Sequence, residues 1–170
     1  FMTQLEQSLD AANTALSYAK DGGSITILNP APAQPLGENI LKLCDFVTPN
    51  EIEAEQITGI PVKSVSDAEV AADKLLEKGA SAAVITLGEQ GALFKDSKQI
   101  IHQPSFQVGP IVETTGAGDA FNGGLAVALA EEMPIDKALR FACATASISV
   151  TRPGTAPSMP DRNEIDTLLT

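Results

Sequence analysis

Apolar residues recur at Leu5, Leu9, Ala12, Leu16 and Ala19, the spacing of one helical face, and the pattern halts at Gly22 and Gly23. SITILN (24–29) follows as a short apolar run and reads as a strand. After the proline-rich loop PAPAQP come a helical stretch around ENILKL and a second strand, DFVT (45–48). A further helix is predicted from Asn50 and another over VSDAEVAADKLLEKG (65–79), closed by Gly79. SAAVITL (81–87) is apolar at successive positions, as in a strand buried on both faces. Strands separated by helices of about a dozen residues predict an α/β fold with a doubly wound, mostly parallel sheet and right-handed crossovers.

Beyond Gly88 the rhythm changes. GALFKDSKQIIHQPSFQV holds two strand-like runs around the turn KDSK, which predicts a hairpin at an antiparallel edge, and a further strand is expected to end in IVE (111–113). GAGDAFNGGLAVALAEE and PIDKALRFACATASISV carry helical patterns that meet at Pro134, a residue suited to a helix start. The loop TRPGTAPSMP and a last helix, RNEIDTLL, complete the chain. In open parallel sheets ligands collect where strands end and helices begin, so the loops at 29–33, 48–53, 87–91 and 113–119 are the places to search.

Composition narrows the classes. A chain of 170 residues, 44% of them hydrophobic, can build one sizeable core, and residues 1–170 read as a single domain. Eleven Lys and Arg against 22 Asp and Glu give a formal charge of -11, which would repel a nucleic-acid backbone, so any anionic ligand must be held locally. Cys44 and Cys143 stand far apart, and His102 is the only histidine, a poor basis for structural zinc and a pattern at home in a reducing cytoplasm. Neither a membrane-spanning run nor a secretory leader is evident.

Three stretches could carry chemistry. In ETTGAGDAFNGG (113–124) small residues run straight into a helical pattern, where several backbone N–H groups and the helix dipole make an anion cradle. No lysine follows as in a Walker loop, and Phe121 stands where the dinucleotide fingerprint needs a third glycine. On the residues alone, an anion site and a simple turn capped by Asp119 remain equally open. In TPNEIEAE (48–55), Asn50 and Glu53 have capping-box spacing, and spacing favours the cap over a role in holding the water shell of magnesium. In VITLGEQGALF (84–94), glycines where a buried strand ends suit either a ligand's approach or a hairpin turn. His102 has no evident catalytic partner and no GxSxG elbow occurs, so nucleophilic catalysis has no support.

The order of these stretches is more telling than any one of them. ETTGAGDAFNGG resembles the second signature of the ribokinase-like carbohydrate kinases (phosphofructokinase-B type), and TPNEIEAEQITG is similar to that family's Asn-x-x-Glu segment. LNPAPA (28–33), VITLGEQG (84–91) and VTRPGTAPSMP (150–160) extend the resemblance over essentially the whole chain. It implies the C-terminal portion of a kinase that moves a phosphoryl group from ATP to a primary hydroxyl of a sugar, ribose first among them. A fructokinase, a nucleoside kinase, or a shortened ATP-binding module without turnover are its alternatives.

By the same resemblance Asp119 is the catalytic base facing the sugar hydroxyl, and the amides of Gly116, Ala117 and Gly118 form the anion hole. Asn50 meets the nucleotide phosphates and Glu53 organises Mg2+; Thr86, Leu87, Gly88, Glu89, Gln90 and Gly91 line the nucleotide. Cys143 lies at the adenine and Glu6 reaches the ribose. Ribokinases usually carry aspartate where this chain has Glu113. In them that carboxylate joins oxygens, here of Thr115, Ser149, Arg152, Gly154 and Ser158, around a potassium ion. The family's N-terminal strands, its Gly-Gly sugar segment and the β-lid that commonly forms a homodimer are not found in this chain.

Overall fold

The computed structural model describes residues 1–170 and gathers them into two compact units: Phe1–Leu87 with Leu93–His102, and Gly88–Ala92 with Gln103–Thr170. The first holds most of a six-stranded sheet. Its strands are β1 (Met2–Thr3), β2 (Ile27–Leu28), β3 (Phe46–Val47), β4 (Ala82–Thr86), β5 (Ala92–Lys95) and β6 (Ile100–Gln103), side by side in chain order. Helices α1 (Leu9–Asp21), α2 (Glu38–Leu41), α3 (Glu51–Thr58) and α4 (Val65–Glu77) fill the connections.

The first four strands are parallel, with Met2 opposite Ile27, Ile27 opposite Phe46, and Phe46 opposite Ala82. Residues 96–99 close the predicted hairpin between β5 and β6, with the Asp96 amide donating to the Gln99 carbonyl at 3.1 Å. So short a link can join only antiparallel neighbours. Ala82, Ala83, Val84 and Ile85 are all buried, as an interior strand requires. Leu16, Leu28, Val47, Leu75 and Ile85 belong to one apolar core beneath the sheet's helices.

Two sequence expectations change here. The opening helix does not include Leu5: Met2–Thr3 extends the sheet, Leu5 enters the core from a loop, and α1 starts only after Ser8, whose hydroxyl accepts the Ala11 amide at 3.2 Å. A side chain able to cap outweighs the helical spacing of one leucine. The second change concerns IVE (111–113), which forms no strand. Val112 and Glu113 both donate their amides to one acceptor, the Val150 carbonyl, at 2.8 and 3.2 Å. A shared carbonyl at a helix end offers no ladder along which a strand could form.

Asp45 fixes the start of β3. Its carboxylate accepts from the Thr26 amide and hydroxyl, both at 2.9 Å, and from Lys20 Nζ at 3.1 Å. Burial opposes its ionisation, but these donors prevail and hold the carboxyl below its ordinary range.

The second unit is mainly helical: α5 (Ala117–Ala130), α6 (Ile135–Ser149) and α7 (Arg162–Leu169), with 3-10 turns at Gly88–Gln90 and Ala156–Ser158. The two long helices approach closely where Gly124 faces Ala142 and Thr145; a Cβ on Gly124 would lie 2.7 Å from Thr145 Oγ1. Asp161 and Glu164 form a capping box at the start of α7, and Ile165 turns inward.

Candidate active site

In the first unit, polar residues collect at the carboxyl ends of the parallel strands. Leu28 at the end of β2 is followed by buried Asn29, whose side-chain amide donates to the Thr48 carbonyl beyond β3 at 3.2 Å. Asn50 forms an isolated parallel bridge with Thr86 at the end of β4, beside the Thr86 amide's 3.0 Å bond to the Pro49 carbonyl. The Leu5 amide bonds the Ala31 carbonyl at 2.8 Å, which sets exposed Glu6 next to the loop that follows β2. Glu6, Asn50 and Thr86 thus stand at the ends of three strands of one sheet.

The capping box expected at Asn50 is formed. Asn50 Oδ1 accepts the Glu53 amide at 2.9 Å, and the Asn50 amide donates to Glu53 Oε2 at 2.9 Å. Asn50 Nδ2 also donates to Glu53 Oε1 at 3.1 Å. Glu53 is 7% exposed, and no lysine or arginine pairs with it. Burial pushes its carboxyl up; the Asn50 amide partly offsets this, and Glu51 adds to the rise. A buried carboxylate at strand ends, held by an amide side chain and lacking a countercharge, fits a hydrated divalent cation, for magnesium takes few protein oxygens and keeps its waters.

In the second unit, Gly116 adopts φ +84°, a left-handed conformation that favours glycine, and precedes α5 without any side-chain cap. The Ala117 amide is spent on the Thr114 carbonyl at 3.1 Å. Those of Gly116 and Gly118 have no acceptor within the chain, the usual state of amides at an uncapped helix start. Asp119 is exposed in the first turn. Asn122, 2% exposed, donates from Nδ2 to the Gly118 carbonyl at 2.9 Å and so braces that turn.

The Gln103 carbonyl joins two further expected sites. Cys143 Sγ lies 3.8 Å from it, and a Cβ on Gly91 would come within 2.0 Å of it, so only glycine fits there, at φ +91°. Ser105 Oγ donates to the Glu89 carbonyl at 2.6 Å, fixing the Gly88–Gln90 turn, whose three residues are exposed. Cys143 is buried, which pushes its thiol up to about 12, so it meets its surroundings as a neutral group.

The pfkB family carbohydrate kinase model matches residues 3–162. The chain belongs to that family. It is 43% identical to a ribokinase of Haemophilus influenzae over 165 residues, 96% of this chain and 53% of that protein. Against a deoxyribokinase of Salmonella typhi the identity is 38% over 167 residues, 98% of this chain and 54% of that protein. The fold matches that of an Arabidopsis thaliana ribokinase complexed with ribose and ATP, with a TM-score of 0.95 at 31% identity over 99% of this chain and 55% of that one. This pfkB chain therefore spans about half the length of the relatives it matches.

Glu6, Asn50, Glu53, Thr86 and Leu87 of this pfkB chain belong to the first unit, whereas Gly88–Gly91, Glu113–Asp119, Cys143 and residues 149–158 belong to the second. Within the second, Glu113 Oε2 accepts the Gly154 amide at 2.7 Å. The Ser149 carbonyl takes the Arg152 amide at 3.2 Å, and Ser158 Oγ donates to the Thr155 carbonyl at 2.6 Å. Thr115, by contrast, is exposed. Sequence reading passed over Asn29 and Asn122 as individual residues. The signal for Asn122 was available: a polar residue between Phe121 and Leu125, within an otherwise apolar helical run.

Proposed function

We propose that this chain is the nucleotide-binding and catalytic portion of an ATP-dependent sugar kinase acting on a primary hydroxyl, with the 5-hydroxyl of ribose as substrate. The observation that carries the reading is the start of α5: an uncapped helix N-terminus with amides of Gly116 and Gly118 unpaired, and Asp119 in the same first turn. Such a turn supplies partial positive charge for a phosphoryl group and a carboxylate for a hydroxyl.

In the proposed step, Asp119 accepts the proton of the sugar hydroxyl. The hydroxyl oxygen bonds the γ-phosphorus as the bond to the β–γ bridging oxygen breaks, and ADP leaves with that electron pair. The transition state is loose, so positioning and charge neutralisation matter more than base strength. Asn50 would orient the phosphates and Glu53 would hold hydrated Mg2+, which offsets their charge. Gly88–Gly91 and Cys143, drawn to one carbonyl, suit a turn against the purine and its ribose. Local donors of this kind let a chain of charge -11 bind a polyanion.

A second substrate, 2-deoxyribose, is favoured by the 38% identity to a deoxyribokinase. Calorimetric titration with ATP, with and without Mg2+, followed by ADP release on ribose and 2-deoxyribose, tests both readings. The assays compare this chain with a form extended at its amino terminus to the length of its relatives. Magnesium-dependent ATP binding in both, with transfer in the extended form, is expected; absence of ATP binding in both overturns the proposal.

A further inference from the structure

The strand ends of the first unit hold a buried amide that the proposed mechanism does not use. β2 and β3 run parallel with Leu28 opposite Val47, and the Thr48 amide donates to the Leu28 carbonyl at 2.9 Å. Continued by one step, that ladder would give the Thr48 carbonyl the amide of residue 30. Residue 30 is a proline and has no N–H, so the ladder lacks its next donor. Asn29 Nδ2 supplies it, bonding the Thr48 carbonyl at 3.2 Å.

That bond fixes which way the amide lies. Its nitrogen must face the Thr48 carbonyl, because two oxygens there would repel, and Oδ1 is left as the other end. No group of the chain donates to Oδ1, although Asn29 is only 8% exposed. Since every fully buried side-chain nitrogen and oxygen has a partner, Oδ1 reaches solvent through that small opening. Asn29 stands at the carboxyl end of β2, between β1, which leads to Glu6, and β3, which leads to Asn50 and Glu53. An acceptor presented there repels a phosphate oxygen and draws an O–H.

We propose that Asn29 is a further binding residue: its Oδ1 accepts a hydrogen bond from an O–H group held at these strand ends, a hydroxyl of the sugar or a water molecule of the hydrated Mg2+. The inference rests on the kinase reading, which sets the sugar by Glu6 and the hydrated cation by Glu53 and so brings an O–H donor to either side of β2. Both sources offer the same chemistry, and neither requires Asn29 to give up its bond to Thr48.

Ladder and ligand roles separate, in the amino-terminally extended form, through Pro30. Pro30→Ala restores an N–H for the Thr48 carbonyl, so Asn29→Ala in that background removes the acceptor without stranding the carbonyl. Calorimetric titration with ribose, and with ATP across a range of Mg2+ concentrations, compares the double variant with Pro30→Ala, while urea melts follow stability. A ribose dissociation constant about three- to tenfold weaker, with ATP binding unmoved, is expected where the donor is the sugar hydroxyl. A rise of the same size in the Mg2+ concentration that half-saturates ATP binding, with ribose unmoved, is expected where it is the metal's water. Asn29→Ala alone should also lose stability, part of which the double variant recovers. Unchanged ribose and Mg2+ dependence in the double variant, with only stability lost in Asn29→Ala, confines Asn29 to the ladder and overturns the proposal. An unmodified protein that binds neither ribose nor ATP sinks the kinase reading and this inference together, whereas intact binding that Asn29 does not affect sinks this inference alone.

Discussion

Adjacent glycines in α5 give opposite answers to the same substitution. Beyond the neighbouring backbone of its own helix, no heavy atom lies within 4 Å of the position a Cβ on Gly123 would take, so Gly123→Ala collects only the helix-propensity gain, about 0.5–1 kcal/mol. At Gly124 the same methyl would lie 2.7 Å from Thr145 Oγ1, 3.0 Å from Thr145 Cβ and 3.1 Å from Ala142 Cα. Thr145 Oγ1 is bound to the Phe141 carbonyl at 2.8 Å and the Ala142 atom is backbone, so neither yields without moving α6. Overpacking costs about 1–3 kcal/mol and exceeds the propensity gain. The two variants should therefore differ by about 2 kcal/mol, or roughly 4–8 °C in melting temperature for a chain this long. Circular dichroism melts of both proteins measure it, and Thr145→Ala in the Gly124→Ala background should recover part of the loss. If Gly124→Ala melts at or above Gly123→Ala, the close approach of α5 and α6 at this point is wrong.

Further substitutions probe the rest of the frame. Asp45→Asn weakens charge-assisted bonds to Thr26 and Lys20 on a partly exposed group, a loss of about 1–2 kcal/mol at neutral pH. Since the folded carboxyl lies below its ordinary value, that contribution is present above the ordinary carboxylate range and disappears as pH falls through the lowered folded value. Urea melts from pH 7 to pH 2 should show the gap to the unmodified chain closing with acid, and a constant gap would refute the ionic role. Gly91→Ala would press a Cβ to 2.0 Å from the Gln103 carbonyl oxygen at positive φ, with only backbone to give way; a loss of about 3 kcal/mol or more, read by thermal unfolding, is expected. An unchanged melting temperature would contradict that packing.

Where periodicity and caps agreed, sequence and structure agree closely. The helix over 65–79 is bounded by Ser64 and Lys78, and the strand in SAAVITL is buried from Ala82 to Ile85 because both its faces are apolar there. Edge elements were harder to read. Met2–Thr3 is too short to show alternation, and its place in the sheet rests on backbone bonds such as that from the Asn29 amide to the Thr3 carbonyl. IVE looked like a strand because strand propensity is indifferent to whether a partner exists, and its amides found a helix-end carbonyl instead. Spacing set cap against ligand at Asn50 and Glu53. The cap is present, yet burial leaves Glu53 a carboxylate without a countercharge, a feature no spacing rule could reveal. The hydrogen bond from the Gly154 amide to Glu113 spans 41 positions and depends on a loop conformation, so it too was hidden from local patterns.

The central claim is that Asp119 takes the sugar's proton in a site built on the first turn of α5. Its most direct test is Asp119→Asn in the amino-terminally extended form, with turnover on ribose and ATP affinity measured on the same preparation. Turnover should fall about 10²–10⁴-fold while the dissociation constant for magnesium ATP stays within a factor of two. Equal loss of binding and turnover, or turnover that survives the substitution, would contradict the assignment.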